Sequence, residues 1–185
     1  MQAINMEVLK RIFDLFGLFR FSSSASDEEL RAALEGFDWY SQYLMKAVDP
    51  QWDPSTRIRN IEYCAFLYGA TLAIVRGYGR EDADSAGVLR RYLSRFVDWE
   101  FSVGWLLNCE AELSCSPRLQ SVQAAGGNTA QAVLLASREQ SDVLRHPQNL
   151  QLLMEIFSEV RKLMDDRATP GECLFAASNR LAIQW

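Results

Sequence analysis

Residues 63–75 read YCAFLYGATLAIV, thirteen consecutive positions without a charged side chain. On a helical wheel the apolar side chains of this stretch point in every direction, and a helix of that kind must be surrounded by other parts of the protein. The stretch is too short to span a bilayer, which takes ~20 residues. We therefore predict a buried central helix at residues 54–77, starting after Asp53 as N-cap with Pro54 at the first helical position and ending near Gly77.

Signals for further helices recur on both sides of the central stretch, and signals for strands do not. Ser26 followed by Glu29 is a capping box that opens a helix ending before Pro50. A break is expected at Gly126-Gly127-Asn128. The spacing of apolar residues predicts the remaining helices at about 4–19, 85–109, 117–125, 129–145, 147–164 and 169–185. The fold class predicted for residues 1–185 is all-α, a single-domain irregular bundle of about seven helices.

Composition places the chain among ordinary globular proteins and excludes several partners. Its 185 residues fit one domain that buries ~70% of the surface exposed by the unfolded chain. Hydrophobic residues make up 49% and charged residues 23%, so wholesale disorder is not expected. The net charge of −5 argues against nucleic-acid binding, which needs a basic surface, and against attraction to anionic membranes. We expect no nucleic-acid partner and no stable membrane insertion.

Charge is distributed unevenly along the chain. Residues 1–53 carry nine acidic and five basic side chains, whereas residues 54–95 carry seven arginines and four acids. Neighbouring segments of opposite charge more often pair within a fold than mark a ligand site. Residues 96–115 carry four acids and no base. We therefore expect the basic middle segment to pair with its acidic neighbours within the fold.

Cysteine usage predicts a reducing compartment. Cys64, Cys109, Cys115 and Cys173 lie in separate segments, and the N-terminal region lacks the features of a cleaved signal peptide. Reduced thiols in the cytoplasm are the simplest interpretation, with redox activity at Cys115 or Cys173 as an alternative. The ratio of sixteen arginines to three lysines is typical of a GC-rich bacterial genome.

The sequence contains no motif that predicts catalysis. The one histidine, His146, directly precedes a proline and is more typical of a solvated joint than of a general base or metal ligand. The six-residue spacing of Cys109 and Cys115 does not fit a zinc site. Asp98 and Glu100 fall on nearly opposite sides of a helix, so they do not form an acid pair. We predict no catalytic, cofactor or metal-binding residue, and therefore no enzyme.

Two helices carry apolar or aromatic side chains beyond what one packing face requires. The predicted helix at 4–19 is apolar over more than half of its wheel, and Leu9, Phe13 and Phe16 are the interface candidates there. Trp39 and Tyr43 share a face separate from the core stripe of their own helix, and large aromatics dominate protein interfaces. The alternative for both sets is burial in the core, and insertion at a membrane surface is a third alternative for the helix at 4–19.

These features predict a non-enzymatic bacterial protein that works by stoichiometric docking on another protein or on a second copy of itself. Inhibitor, toxin-immunity, anti-activator and secretion-adaptor roles all remain open. The alternative is a small-molecule-binding helical domain, possibly an enzyme, with a pocket between the central helix and the helix that follows it. The candidate residues for that pocket are Arg57, Arg59, Glu62, Tyr63 and Tyr68.

Overall fold

The structure is a computed structural model that describes residues 25–53, 60–96, 110–139 and 147–164. Within these four ranges all regular secondary structure is helical, which confirms the predicted all-α class. The six helices seen there are α1 (Asp27–Val48), α2 (Ile61–Gly77), α3 (Ser85–Leu93), a short α4 (110–115), α5 (Pro117–Glu139) and α6 (Pro147–Met164). The helices predicted at 4–19 and 169–185 lie outside the described residues.

Helix α1 begins at the predicted capping box. The Ser26 hydroxyl accepts a hydrogen bond from the Glu29 amide at 3.2 Å, and the Glu29 carboxylate accepts one from the Ser26 amide at 2.6 Å. These two bonds satisfy backbone donors that the first turn leaves without helical partners. The helix ends at Val48 with Asp49 as its C-cap, so its predicted end before Pro50 is also confirmed.

Helix α2 is the buried central helix, as its apolar sequence predicts. Its buried residues are Tyr63, Cys64, Ala65, Phe66, Leu67, Gly69, Ala70, Thr71, Ile74 and Val75. Its start lies later than the predicted residue 54, because Asn60 has extended backbone angles (φ −95°, ψ 107°) and caps the helix through its side chain. Among the described residues, no helix combines the length and the hydropathy needed to cross a membrane.

Helices α2 and α5 pack with their backbones in contact, and this contact corrects the predicted break at 126–128. A Cβ atom on Gly126 would lie 1.9 Å from the Phe66 carbonyl oxygen, and one on Gly69 would lie 1.8 Å from the Gln123 carbonyl oxygen. The glycines therefore permit close packing inside one continuous helix rather than ending it. Contacts advance in the same direction along both helices, from Glu62 with Arg118 to Gly77 with Leu134, so the pair runs parallel.

Helix α3 packs along α1, and two ion pairs join the segments. Arg91 lies 2.6 Å from Asp27, and Arg95 lies 2.5 Å from Glu35. The helix ends at Leu93 with Ser94 as its C-cap, earlier than the sequence predicts, and the Ser94 hydroxyl binds a carbonyl of the last turn. The predicted continuation through 97–109 lies outside the described residues.

Candidate functional site

The surface of α1 displays a large aromatic side chain. Trp39 is 59% exposed, and Phe96, which follows α3, is 42% exposed. In the part of the chain that the structure describes, these are the two exposed large hydrophobic side chains. Tyr43 lies one turn after Trp39 and is half-buried against the core.

Helical spacing explains why Trp39 faces outward. Phe37, Tyr40 and Leu44 are buried and define the core face of α1. At 100° per residue, Trp39 lies about 100° from the nearest of them and Tyr43 lies on the same side as Trp39. The sequence left open whether both side chains are in the core, and the structure places Trp39 at the surface.

An ion pair joins the two segments that carry the exposed aromatics. Glu35 lies one turn before Trp39 on α1, and its carboxylate pairs with Arg95, the residue next to Phe96. The Phe96 ring packs edge-on against Tyr92 at a centroid distance of 5.4 Å. We call the set Glu35, Trp39, Tyr43, Arg95 and Phe96 the aromatic surface. Phe96 joins it because of where α3 ends, a feature that the sequence did not predict.

A buried carboxylate holds the helices beneath the aromatic surface. Asp38 is 1% exposed, and its two oxygens accept hydrogen bonds from the hydroxyls of Tyr63, at 2.6 Å, and Tyr92. Gln42 donates a third bond to it at 3.2 Å. A buried carboxylate is tolerated only with such donors. Asp38, the residue before Trp39 in sequence, therefore joins α1 to α2 and α3.

Sequence reasoning missed Asp38, although a signal for it was present. On α1, Leu34 lies one turn before Asp38, and Ser41 and Met45 lie one and two turns after it. All four side chains are buried. A single acid on an otherwise enclosed helix face predicts buried donors on neighbouring helices. Its partners Tyr63 and Tyr92 lie on helices separated in sequence, so the spacing along α1 alone does not identify them.

The loop after α1 is fixed by a second set of contacts. The Trp52 indole N–H donates to the Gln42 side chain at 2.7 Å, and Lys46 donates to the Trp52 carbonyl at 2.9 Å. Arg161 of α6 binds Asp49 at 2.8 Å and lies over the Trp52 ring at 5.7 Å. The Arg161 hydrogen bond is the main cause that lowers the pKa of Asp49 below its ordinary value. These contacts connect the C-terminal end of α1 to α6.

A groove of about 530 Å³ lies between α2 and α5, on the outer side of their contact. Its floor consists of small residues, and four carboxamides and one guanidinium form its polar lining. Neither an acid nor an aromatic residue lines it. The lining residues are Gly69, Leu72, Ala73, Arg76 and Gly77 of α2 and Gln120, Gln123, Ala124, Gly127, Asn128, Gln131 and Leu134 of α5.

The predicted pocket candidates do not line this groove. Glu62 forms an ion pair with Arg118 at 3.2 Å, Tyr63 belongs to the Asp38 network, and Tyr68 is half-buried against the core. Arg57 and Arg59 lie outside the described residues, as do the interface candidates Leu9, Phe13 and Phe16.

The described residues contain few groups suited to redox or metal chemistry. No group of three or more His, Cys, Asp or Glu side chains in the described ranges could hold a metal ion. Cys64 is buried and Cys115 is exposed. Arg118, the cation nearest to Cys115 in sequence, donates instead to the carbonyls of Leu163 and Met164 at the end of α6. Cys109, Cys173 and His146 lie outside the described residues.

Comparison with known proteins gives no relative. No family model, curated protein sequence or solved structure matches this chain. Function is therefore inferred from the described surfaces alone, of which the aromatic surface and the α2–α5 groove are the two candidates.

Proposed function

We propose that this protein works by stoichiometric docking on another protein molecule through the aromatic surface. The observation that supports this most is the 59% exposure of Trp39 beside an exposed Glu35–Arg95 pair and the half-exposed Phe96. Trp, Tyr and Arg are the residues that contribute most binding energy in protein interfaces. An inhibitor, a toxin-immunity protein, an anti-activator or a secretion adaptor of a bacterium would each act by such a contact, without catalysis.

The exposed indole supplies enough free energy to support binding. Burying the exposed part of Trp39 removes on the order of 120 Å² from water, which corresponds to about 3 kcal/mol. That free energy changes an affinity about 100-fold. Losing Trp39 is therefore expected to weaken a complex measurably even if every other contact persists.

The contacts beneath the surface favour binding further. The Tyr63 and Tyr92 hydroxyls that bind Asp38 hold α1 on α2 and α3, and the Trp52 and Arg161 contacts hold its C-terminal end. A helix that is fixed before binding loses little conformational entropy when a partner docks on it. Trp39 is thus presented on a rigid support.

Affinity capture with matched variants tests the proposal. Tagged wild-type chain, Trp39→Ser and Gln151→Ser are expressed in the native host, where Gln151 is an exposed residue of α6 far from α1 in sequence. We expect one protein to co-purify in equimolar amount with the wild type and with Gln151→Ser. After that protein is purified separately, calorimetry should show an affinity about 100-fold lower for Trp39→Ser.

Equal affinity of the wild type and Trp39→Ser for the captured protein would contradict the proposal. Circular dichroism of each variant excludes unfolding as the cause of a lost interaction. We further propose that the protein acts in the cytoplasm and that its partner is not a nucleic acid, on the basis of its cysteine usage and its net charge of −5.

The α2–α5 groove supports a second candidate function, the binding of a small polar molecule. Its volume of about 530 Å³ falls within the range of ligand sites, and its carboxamides and Arg76 can orient a polar ligand. Mass spectrometry of the denatured purified protein would reveal a retained metabolite. The variant Ala124→Phe, which fills the groove, should lose that metabolite, whereas Trp39→Ser should retain it. Purified protein without any bound metabolite would count against this candidate.

A further inference from the structure

We infer that the occupant of the aromatic surface is a second copy of this chain, with the two α1 helices packed antiparallel about a twofold axis near Trp39. This inference rests on the proposed function, because it requires the aromatic surface to be a protein interface. It goes further by naming the partner and its orientation.

The outer face of α1 forms a single continuous stripe. Its residues are spaced three or four positions apart, which places them one above another along a helix. All of them are exposed or half-buried, and the stripe spans ~27 Å of helix. Its members are Glu28, Ala32, Glu35, Trp39, Tyr43 and Lys46.

The order of charges along this stripe favours an antiparallel pair. Acids occupy the N-terminal half, the aromatics lie at the centre, and Lys46 lies at the C-terminal end. In an antiparallel pair centred on Trp39, Glu35 of one copy faces Tyr43 of the other, and Lys46 faces Ala32, one turn from both Glu28 and Glu35. The Lys46 ammonium also donates to the Pro50 and Trp52 carbonyls of its own chain. In a parallel pair Glu35 would face Glu35. Antiparallel packing also brings the positive end of each helix dipole beside the negative end of the other.

The aromatic surface is also self-complementary as a whole. With Arg95 beside the stripe, two acids are balanced by two bases, so the face is electrically neutral. A neutral face offers little attraction to a strongly charged partner, whereas a twofold axis brings Lys46 of each copy to a position between Glu28 and Glu35 of the other. Symmetric contact of one patch with itself is the commonest form of assembly for soluble proteins.

The size of the stripe sets the expected strength of the dimer. A contact ~27 Å long and about 20 Å wide buries about 500 Å² on each copy, below the ~800 Å² per partner of a standard stable interface. We therefore expect a reversible dimer with a dissociation constant in the micromolar range rather than a permanent one.

Sedimentation velocity of the full chain between about 1 and 300 μM tests the dimer, since that range brackets a micromolar dissociation constant. We expect the wild type and Gln151→Ser to shift from monomer to dimer across this range, and Trp39→Ser to remain monomeric. Phe96→Ser provides a second variant at the same surface, in case Trp39→Ser is poorly folded by circular dichroism.

Cysteine cross-linking tests the orientation. Antiparallel packing predicts that a mixture of Ala32→Cys and Lys46→Cys chains forms a disulfide-linked heterodimer and that Ala32→Cys alone does not self-link more than the wild type. Parallel packing predicts self-linking of Ala32→Cys. The wild type controls for linkage through the native cysteines, including the exposed Cys115.

Three results would overturn the inference. A chain that remains monomeric at every concentration does not form this dimer. In that case the proposed docking function still stands if a captured protein binds the wild type and fails to bind Trp39→Ser. A dimer unaffected by Trp39→Ser and Phe96→Ser forms elsewhere on the molecule. Self-linking of Ala32→Cys without the mixed product contradicts the antiparallel arrangement.

Discussion

Asp38 shows how a single residue connects the fold and the candidate site. Its carboxylate is enclosed among tyrosine hydroxyls and a carboxamide, and the next residue along the chain is the exposed Trp39. Consecutive residues of one helix thus serve opposite purposes, since one fixes α1 to its neighbours and the other is presented at the surface. Burial of this polar group is tolerated because donors from α1, α2 and α3 converge on it.

Replacing Asp38 by alanine should destabilise the protein strongly. Asp38→Ala leaves the Tyr63 and Tyr92 hydroxyls buried without this acceptor, and we expect a loss of about 3 kcal/mol in the free energy of unfolding, measured with urea. Tyr92→Phe removes one donor and should cost about 1 kcal/mol. If Asp38→Ala unfolds at the same urea concentration as the wild type, the carboxylate does not have the role assigned to it.

Asp49 should make stability depend on pH. Its pKa is lowered in the fold, mainly by the Arg161 hydrogen bond, so its stabilising contribution is present above the unfolded pKa of about 4 and is lost as the pH falls through the folded pKa. Asp49→Asn should therefore lower the free energy of unfolding by about 1 kcal/mol at pH 7 and by much less near pH 3. The effect at pH 7 is modest because the Asp49–Arg161 pair is partly exposed. Urea unfolding at both pH values measures the difference, and a gap that widens on acidification would contradict this assignment.

At the scale of helices, local signals identified some elements and misjudged others. The capping box of α1 acts within one turn, so Ser26 and Glu29 located that helix from sequence alone. The apolar sequence of α2 likewise predicted its burial. The glycine pair at 126–127 was misinterpreted, because glycine disfavours a helix locally and so indicates a break. In the structure the pair lets α5 pack directly against the backbone of α2.

The candidate site was predictable to a similar degree. Helical spacing separated Trp39 and Tyr43 from the core face of α1, and only the packing of the other helices decides how far each is exposed. Phe96 and Arg95 follow the end of α3 at Leu93, and Arg95 pairs with Glu35 of α1, a contact between residues 60 positions apart. Spacing along one segment cannot reveal such a contact.

The α2–α5 contact predicts opposite results for two glycines. Gly126→Ala would place a methyl group against the Phe66 backbone. We expect this substitution to lower the free energy of unfolding by about 3 kcal/mol or more, or to prevent folding. Gly77→Ala meets only a Leu134 methyl group at 3.4 Å and should change stability by less than about 1 kcal/mol. Thermal unfolding of the two variants compares them, and similar melting temperatures would contradict the close contact.

At the scale of the whole molecule, binding and stability should depend on different residues. The core is continuous through α1, α2, α3, α5 and α6, whereas the proposed interface lies on the outer face of α1. Among the described residues, Arg91 and Arg95 pair with acids of α1 within the fold. The proposed interface therefore relies mainly on its aromatic side chains.

Comparing two aromatic substitutions tests this separation. Trp39→Ser should change the free energy of unfolding by less than about 1 kcal/mol, because the indole is mostly exposed. Phe66→Ala, at the centre of the core, should cost about 3–5 kcal/mol. Urea unfolding of both variants gives the two values. A large loss for Trp39→Ser would show that the indole supports the fold rather than a partner.

The glycine contact between α2 and α5 has a consequence for how the chain is made. Phe66 and Gly126 touch although 60 residues separate them, so the central helix leaves the ribosome well before the helix that covers it has been synthesised. During that interval the most apolar segment of the chain lacks its closest neighbour and is vulnerable to aggregation. Slower translation after residue 77 would prolong that exposure, and a chaperone that binds apolar helices would have its greatest effect at this stage of synthesis.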